Sequence, residues 1–408
     1  MAPPQVRLPW ELEEEILTRL PPKVLVRFRT VCKQWNSLFN DRSFIYNHLS
    51  LPRPQFILLT EITIVSIDIT DPTMELREIH SHPLGLSFHN ANITTCDEFL
   101  VCNYPHRWEK GTALLNPLLG HVKWIKPLVD ERFDVFGLGY DSSGPEKVHK
   151  MLGYLRSPSE VQTNSYLRRV AMKVVGNVYK MVDYFRSPPK EDQKNVNAER
   201  VAIYECASQT LRFIDTPDED MRPICETAKQ SHVSLNGNLY WIACNRQTRE
   251  YFIQSFDFSR EVFKPVCPLP FQERHDEHFL AVFKGDRFSL LTQCYLTRKI
   301  EIWVTKRKID DGEEVVWMNL MTLTATNLPK LFNKLYGVSY IIYDKNLVIC
   351  CGDDETGKLS FYVMKGRDTC SKIQLDSRLD GIASWITWFS HCAYVPNWTS
   401  VPLEFQIA

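Results

Sequence analysis

"SHVSLNGNLYWIAC", Ser231 to Cys244, decides the fold. Asn236-Gly237 sits between alternating apolar positions: Val233 and Leu235 before it, Leu239 and Trp241 after it. Asn and Gly tolerate the positive φ that a two-residue hairpin turn demands, so the stretch predicts two antiparallel strands. The same plan recurs around Asp97-Glu98 in "NITTCDEFLVCNY", around Gly285-Asp286 in "LAVFKGDRFSLLT" and around Asp344-Lys345 in "VSYIIYDKNLVICC". Runs of Val, Ile, Tyr, Phe and Trp between turn residues predict strands beyond residue 55.

Each such hairpin is followed by a second kind, in which an aliphatic strand turns into one bearing an aromatic or large apolar residue. Examples are "TALLNPLLGHVKWIKP", "VAIYECASQTLRFIDTP", "FIQSFDFSREVFKPV", "IEIWVTKRKIDDGEEVVWMNL" and "LSFYVMKGRDTCSKIQL", with "VSIDITDPTMELREI" ahead of them. Their equivalent late residues are Leu76, Trp124, Phe213, Phe263, Trp317 and Ile373, which gives steps of 48, 89, 50, 54 and 56. A period near fifty with four strands per unit predicts a β-propeller.

The step of 89 is the exception. "FDVFGLGYDSSGPEKVHKMLGYL" (Phe133 to Leu155) supplies the first hairpin of that unit, leaving an insertion near 156-199. The end of that insertion, "RSPPKEDQKNVNAER", is polar and is expected to be an exposed, mobile loop. Within it "AMKVVGNVYKMVDYF" has the pattern of an added hairpin; the ring has six blades if this is an insertion and seven if not, and six is the expectation. The unit at Phe56 to Ile79 shows only a late hairpin and "IASWITWFSHCAYV" (Ile382 to Val395) only an early one. Pairing the two into a composite blade leaves no open edge at the seam.

Composition narrows the function. The chain has 408 residues, 44% hydrophobic and 24% charged, and Lys+Arg 48 against Asp+Glu 49 leaves a net charge of -1. Nucleic acid and anionic membranes favour a basic surface, so neither is an expected partner. "MAPPQVRLPW" has no apolar core of a signal peptide, and "FILLTEITIVSIDI" is broken by charge well short of a membrane span. The twelve Cys form no CxxC pair and read as thiols of a reducing compartment, cytoplasmic and/or nuclear.

The first fifty residues follow another period. In "LPWELEEEILTRLPPKVLVRFRTVCKQW" (Leu8 to Trp35), Leu12, Ile16, Leu17 and Leu20 form one helical stripe. Glu11, Glu13, Glu14 and Glu15 crowd its start, where the helix dipole favours negative charge. Pro21-Pro22 ends it, and Val24, Leu25, Phe28, Val31, Cys32 and Trp35 mark a second helix. Asp41 begins a third that carries Phe44, Ile45 and Leu49. Three helices this short bury too little area to be stable alone. Either they dock on the rest of the chain, or their apolar stripe is an interface for another protein.

"LPWELEEEILTRLPPKVLVRFRTVCKQWNSLFNDRSF" resembles an F-box: Leu-Pro, a Glu-Ile-Leu stretch, Leu-Pro again, then Arg-Phe-Arg-x-Val-Cys-Lys-x-Trp. "LLNPLLGHVKWIKP", "FGLGYDSSGPEKV", "VSLNGNLYWIAC" and "IQSFDFSREVFKPVCPLP" resemble the motifs of the plant F-box-associated domain, traced beyond Asn90. The whole is similar to a plant F-box protein with a C-terminal F-box-associated (FBA type) interaction domain. The resemblance implies an α+β multi-domain chain: a three-helix F-box over 1-50, then an all-β propeller-like domain over 51-408. It implies the substrate-recognition subunit of an SCF-type (Skp-cullin-F-box) ubiquitin ligase. The F-box binds the Skp-type adaptor and through it a cullin-RING ligase, and the propeller captures a target protein for degradation. Carried over by position, the adaptor face is Leu8, Pro9, Leu12, Ile16, Leu17, Leu20, Pro21, Val24, Leu25, Phe28, Val31, Cys32 and Trp35. It implies no catalytic residues and no cofactor, and it does not identify the target. The alternative is a stand-alone propeller acting as a glycan-binding module or hydrolase.

Other motifs reduce to structure. "GDDETGKLS" (Gly352 to Ser360) nearly spells a phosphate loop, but Leu359 stands where a hydroxyl must reach magnesium, and strands flank it. His275 and His278, and likewise His80 and His82, lack partners at zinc spacing. Gly137-x-Gly139 reads as strand glycine, and Trp241, Trp303, Trp317, Trp385 and Trp388 as filling between blades.

Overall fold

In the computed structural model the structure describes residues 8–20, 24–25, 28, 30–39, 44, 54–60, 63–69, 76–81, 91–97, 99–103, 111–116, 121–125, 133–155, 200–214, 232–245, 248–271, 277–309, 314–325, 327–331, 337–343, 346–353, 359–366, 369–374 and 390–395. Helices α1 (Trp10–Thr18) and α2 (Lys33–Leu38) precede the sheets. β1 (Gln55–Leu59), β2 (Thr63–Asp68) and β3 (Leu76–Ser81) come next. The second sheet is β4 (Asn92–Cys96), β5 (Phe99–Asn103), β6 (Thr112–Asn116) and β7 (His121–Ile125), and the third is β8 (Phe133–Asp141), β9 (Val148–Leu155), β10 (Arg200–Glu205) and β11 (Thr210–Phe213). The fourth is β12 (His232–Leu235), β13 (Asn238–Cys244), β14 (Tyr251–Asp257) and β15 (Val262–Pro268). The fifth is β16 (Glu277–Phe283), β17 (Arg287–Gln293), β18 (Ile300–Thr305) and β19 (Trp317–Leu323). The sixth is β20 (Ser339–Tyr343), β21 (Asn346–Gly352), β22 (Leu359–Lys365) and β23 (Thr369–Gln374). β24 (Ser390–Tyr394) returns to the first sheet, whose order is β24-β1-β2-β3. The fold is a six-bladed β-propeller of antiparallel meanders behind an N-terminal helical unit.

The seam differs from the sequence expectation. β1, β2 and β3 all come from the N-terminal side, and β24 alone pairs with β1, from Gln55↔Tyr394 to Leu59↔Ser390. Closure is therefore one strand added to three; the rest of the expected C-terminal hairpin, with Trp385 and Trp388, lies outside the described residues. Register hides this in the sequence: Phe56 to Leu59 is buried on both faces, and a continuous apolar run does not say which strand of a blade it is.

The inner strands of the blades pack against neighbouring blades. Six apolar clusters each join two adjacent sheets; one of them, Phe56, Leu58 and Ile67 against Val348, Cys350 and Phe361, closes the ring. Phe56 and Phe361 lie 5.1 Å apart across that seam. Asn236 and Gly237 adopt φ of 53° and 79°, as their hairpin requires. Gly137 and Gly139 serve packing: a Cβ on Gly139 would lie 2.2 Å from the Phe258 ring and 2.3 Å from the Gly237 carbonyl oxygen. The 89-residue step falls inside the third blade. Leu155 of β9 pairs directly with Arg200 of β10, so the chain leaves and re-enters one hairpin. Residues 156–199 lie outside the described residues.

Candidate functional site

α1 starts on Pro9, whose carbonyl accepts from the Leu12 and Glu13 amides at 3.0 and 3.1 Å. Glu11 and Glu13 occupy its first turn, favoured there by the helix dipole. Glu15 pairs with Arg19 one turn on. The expected single stripe is split between two faces. Leu12 and Ile16, one turn apart, are 46% and 50% exposed, whereas Leu17 is 2% exposed. The reason is angular: each residue turns the helix by about 100°, so Leu17 points well away from Leu12.

Leu17 packs with Leu25, Phe39 and Phe44 in a small core of its own, with Leu20, Phe28, Trp35 and Leu38 against it. Every member of that cluster belongs to the N-terminal helical segment. Trp35 Nε1 donates to Glu13 Oε2 at 3.0 Å and ties α2 to α1. Phe39 is a core residue that the sequence reading passed over; its spacing of four from Trp35 was the available signal.

The expected second helix is interrupted. Val24, Leu25 and Phe28 have helical backbone, but Cys32 is extended (φ -156°, ψ 161°) and its sulfur accepts from the Trp35 amide at 3.4 Å, capping α2. The Val31 amide bonds back to the Phe28 carbonyl at 3.0 Å, a tightened turn. Val31 thus projects at a break and is 59% exposed. The third helix, expected from Asp41, is described only at Phe44.

The residues carried over as an adaptor face therefore divide. Leu8, Pro9, Leu12, Ile16, Val31 and Cys32 are exposed; Leu20, Val24, Phe28 and Trp35 are half-buried. Leu17 and Leu25 lie inside and hold the helices together. Pro21 lies outside the described residues.

The remaining motifs are structural in place. Gly352 and Leu359 end and begin strands, and buried Asp353 accepts from Lys372 Nζ at 2.7 Å and Tyr362 Oη at 3.0 Å. His278 sits between Tyr251 and Phe271, its Nδ1 3.1 Å from Thr292 Oγ1, and burial lowers its pKa to about 4. His275 and His82 lie outside the described residues. Trp241 packs against Phe136 and Phe263, Trp303 against Phe271, and Trp317 Nε1 donates to the Pro268 carbonyl at 3.2 Å. Asp97, in the first turn of the second blade, accepts from the Gly237 amide at 2.9 Å and Ser234 Oγ at 3.1 Å, stapling the hairpin of the fourth blade. Burial nevertheless pushes the Asp97 carboxyl up. Among the described residues no group of His, Cys, Asp or Glu is arranged to hold a metal ion, and no helix is long and apolar enough to cross a membrane.

The chain is a two-module protein: a propeller behind a helical unit that has its own core and leaves Leu12 and Ile16 exposed. Comparison with known proteins agrees: the F-box domain matches residues 6–47 and the F-box associated beta propeller domain matches 55–401. Protein SUPPRESSOR OF NIM1 1 of Arabidopsis thaliana is 50% identical over 97% of this chain and 99% of its own length. F-box protein At3g17710, from the same plant, is 45% identical over 98% of each chain. The chain belongs to the F-box proteins that carry an F-box-associated propeller. One point of the resemblance is corrected. The associated domain is not a C-terminal module traced beyond Asn90; it starts at residue 55, directly behind the F-box, and runs to 401. The physical reason is the seam, which makes β1 to β3 part of the ring.

Proposed function

We propose that this chain is the substrate-recognition subunit of an SCF-type ubiquitin ligase, with residues 1–50 as adaptor-binding unit and 51–408 as target-binding unit. The observation that carries the reading is the exposure of Leu8, Leu12, Ile16 and Val31 beside helices that already share a core of Leu17, Leu25, Phe39 and Phe44. Apolar side chains left uncovered beside a complete core are what a partner surface supplies cover for. Leu8, Pro9, Leu12, Ile16, Val31 and Cys32 make the first contact with the Skp-type adaptor. Leu20, Pro21, Val24, Phe28 and Trp35 border it, while Leu17 and Leu25 shape it from within. The cullin-RING ligase is reached through the adaptor, in the cytoplasm or nucleus.

The chain performs no bond chemistry in this reading and needs no cofactor. Its contribution is proximity, raising the effective concentration of target lysines near activated ubiquitin. The test is co-purification of the tagged full chain with a plant Skp-type adaptor. Retention of the adaptor by wild type and its loss with Leu12→Ala/Ile16→Ala support the reading; no retention by wild type rejects it.

A further inference from the structure

Strand direction divides the propeller into two ends. β1 starts at Gln55, beside Tyr394, and reaches its turn after Leu59, beside Ser390. The chain therefore enters β1 at the end that carries the first-to-second and third-to-fourth strand turns. The second-to-third turns lie at the opposite end, because neighbouring strands are antiparallel.

Two of those far turns, in adjacent blades, share their closing hydrogen bonds. Asn245 to Glu250 joins β13 to β14, and Cys294 to Lys299 joins β17 to β18. In each, the first amide bonds to the sixth carbonyl, at 2.9 and 3.0 Å, and the fifth amide bonds to the first carbonyl, at 2.8 and 2.9 Å. In each, Thr precedes an Arg that takes positive φ, 64° at Arg249 and 58° at Arg298. Both arginines are exposed, and among the described residues neither pairs with a carboxylate. Lys299 pairs with Glu301, and Glu250 accepts from Thr248 Oγ1 at 3.0 Å. The second turn lifts Tyr295 and Leu296 to its tip. At 61% and 84% they are the two most exposed large apolar side chains among the described residues.

We propose that this tip and the two arginines bind an acidic peptide segment of the target protein. The proposal rests on the ligase reading above and gives it a target chemistry. Leu296 and Tyr295 cover an apolar side chain of the segment, since the most exposed apolar surface gains most from being covered. Arg298 and Arg249 hold carboxylates beside it, because the planar guanidinium presents paired donors that match a carboxylate.

The test is selection from a random-sequence peptide display library on the purified full chain, with Arg298→Glu and Leu296→Ser as counter-selectors. Both positions are exposed turn residues, so the variants are expected to fold, which thermal unfolding checks. The expected result is enrichment of Asp- and Glu-rich peptides bearing an apolar residue. A synthetic peptide from that set should bind each variant at least about tenfold more weakly than wild type and lose affinity as salt rises. The proposal is overturned if nothing is enriched, if enriched peptides show no acidic excess, or if they bind both variants as well as wild type. Adaptor retention is measured on the same preparation. Retention without acidic peptides sinks this inference and leaves the ligase reading intact; absent retention sinks the ligase reading, while the peptide result still judges the surface.

Discussion

Replacing Leu12 and Ile16 by Ala separates partner binding from folding. A Leu or Ile side chain moved from water to full burial gains about 1.5–3 kcal/mol. Leu12 is 46% and Ile16 50% exposed, so half of that remains to be gained when a partner covers them. Truncation also leaves a void in the interface, which brings the loss to about 2 kcal/mol per site. The two residues are one turn apart and share a partner pocket, so their sum, about 4 kcal/mol or roughly a thousandfold in affinity, is an upper bound. Neither belongs to the Leu17, Leu25, Phe39 and Phe44 core, so the fold of the helices should hold. Leu17→Ala is the contrast: buried and surrounded, it should cost about 2–5 kcal/mol of stability and abolish binding only by unfolding the helices. Calorimetric titration of a plant Skp-type adaptor, paired with circular dichroism of each variant, reads both quantities. Adaptor affinity unchanged in the double variant, or lost only together with helix content, refutes the reasoning.

Three further outcomes are expected. Gly139→Ala should lower propeller stability by about 1–3 kcal/mol, read by chemical denaturation, because the added methyl meets Phe258 and the Gly237 carbonyl. Lys150→Ala should cost about 2 kcal/mol by the same measurement, since buried Lys150 donates to Asp141, Glu261 and the Phe258 carbonyl, while Arg212 still holds Glu261 and Ser143 still donates to Asp141. Stability should be full above pH 6.5 and fall as pH drops from 6.5 towards 4. The cause is His232, His278 and His391, which burial lowers from 6.5 to about 4. In that window the unfolded chain binds protons that the folded chain refuses, up to about 1.4 kcal/mol per pH unit for each histidine. A denaturation midpoint that is flat across that window counts against it.

Hairpins were legible because their signal is local. Asn236-Gly237, Asp97-Glu98 and the spacing from Trp124 to Ile373 carry turn chemistry and period within a few residues; counting them left six or seven blades, and the pairing of β9 with β10 across 156–199 decides for six. The F-box was legible for the same reason, as a dense run of Pro, Glu and apolar positions. The seam was not: apolar runs buried on both faces look alike whichever strand they form, so only pairing shows that β24 alone joins β1. Helical spacing selected Leu12, Ile16 and Leu17 together, but only packing turned Leu17 inward and left the other two outside. The break at Cys32 rests on one sulfur capping one amide, and the Asp97 staple joins residues 140 apart in the chain. The sequence by itself determined most hairpins, the period and the module order, because each is written in neighbours along the chain. Closure, the division of the helical face and the two ends of the ring were decided by tertiary structure, because each depends on which surfaces distant segments cover.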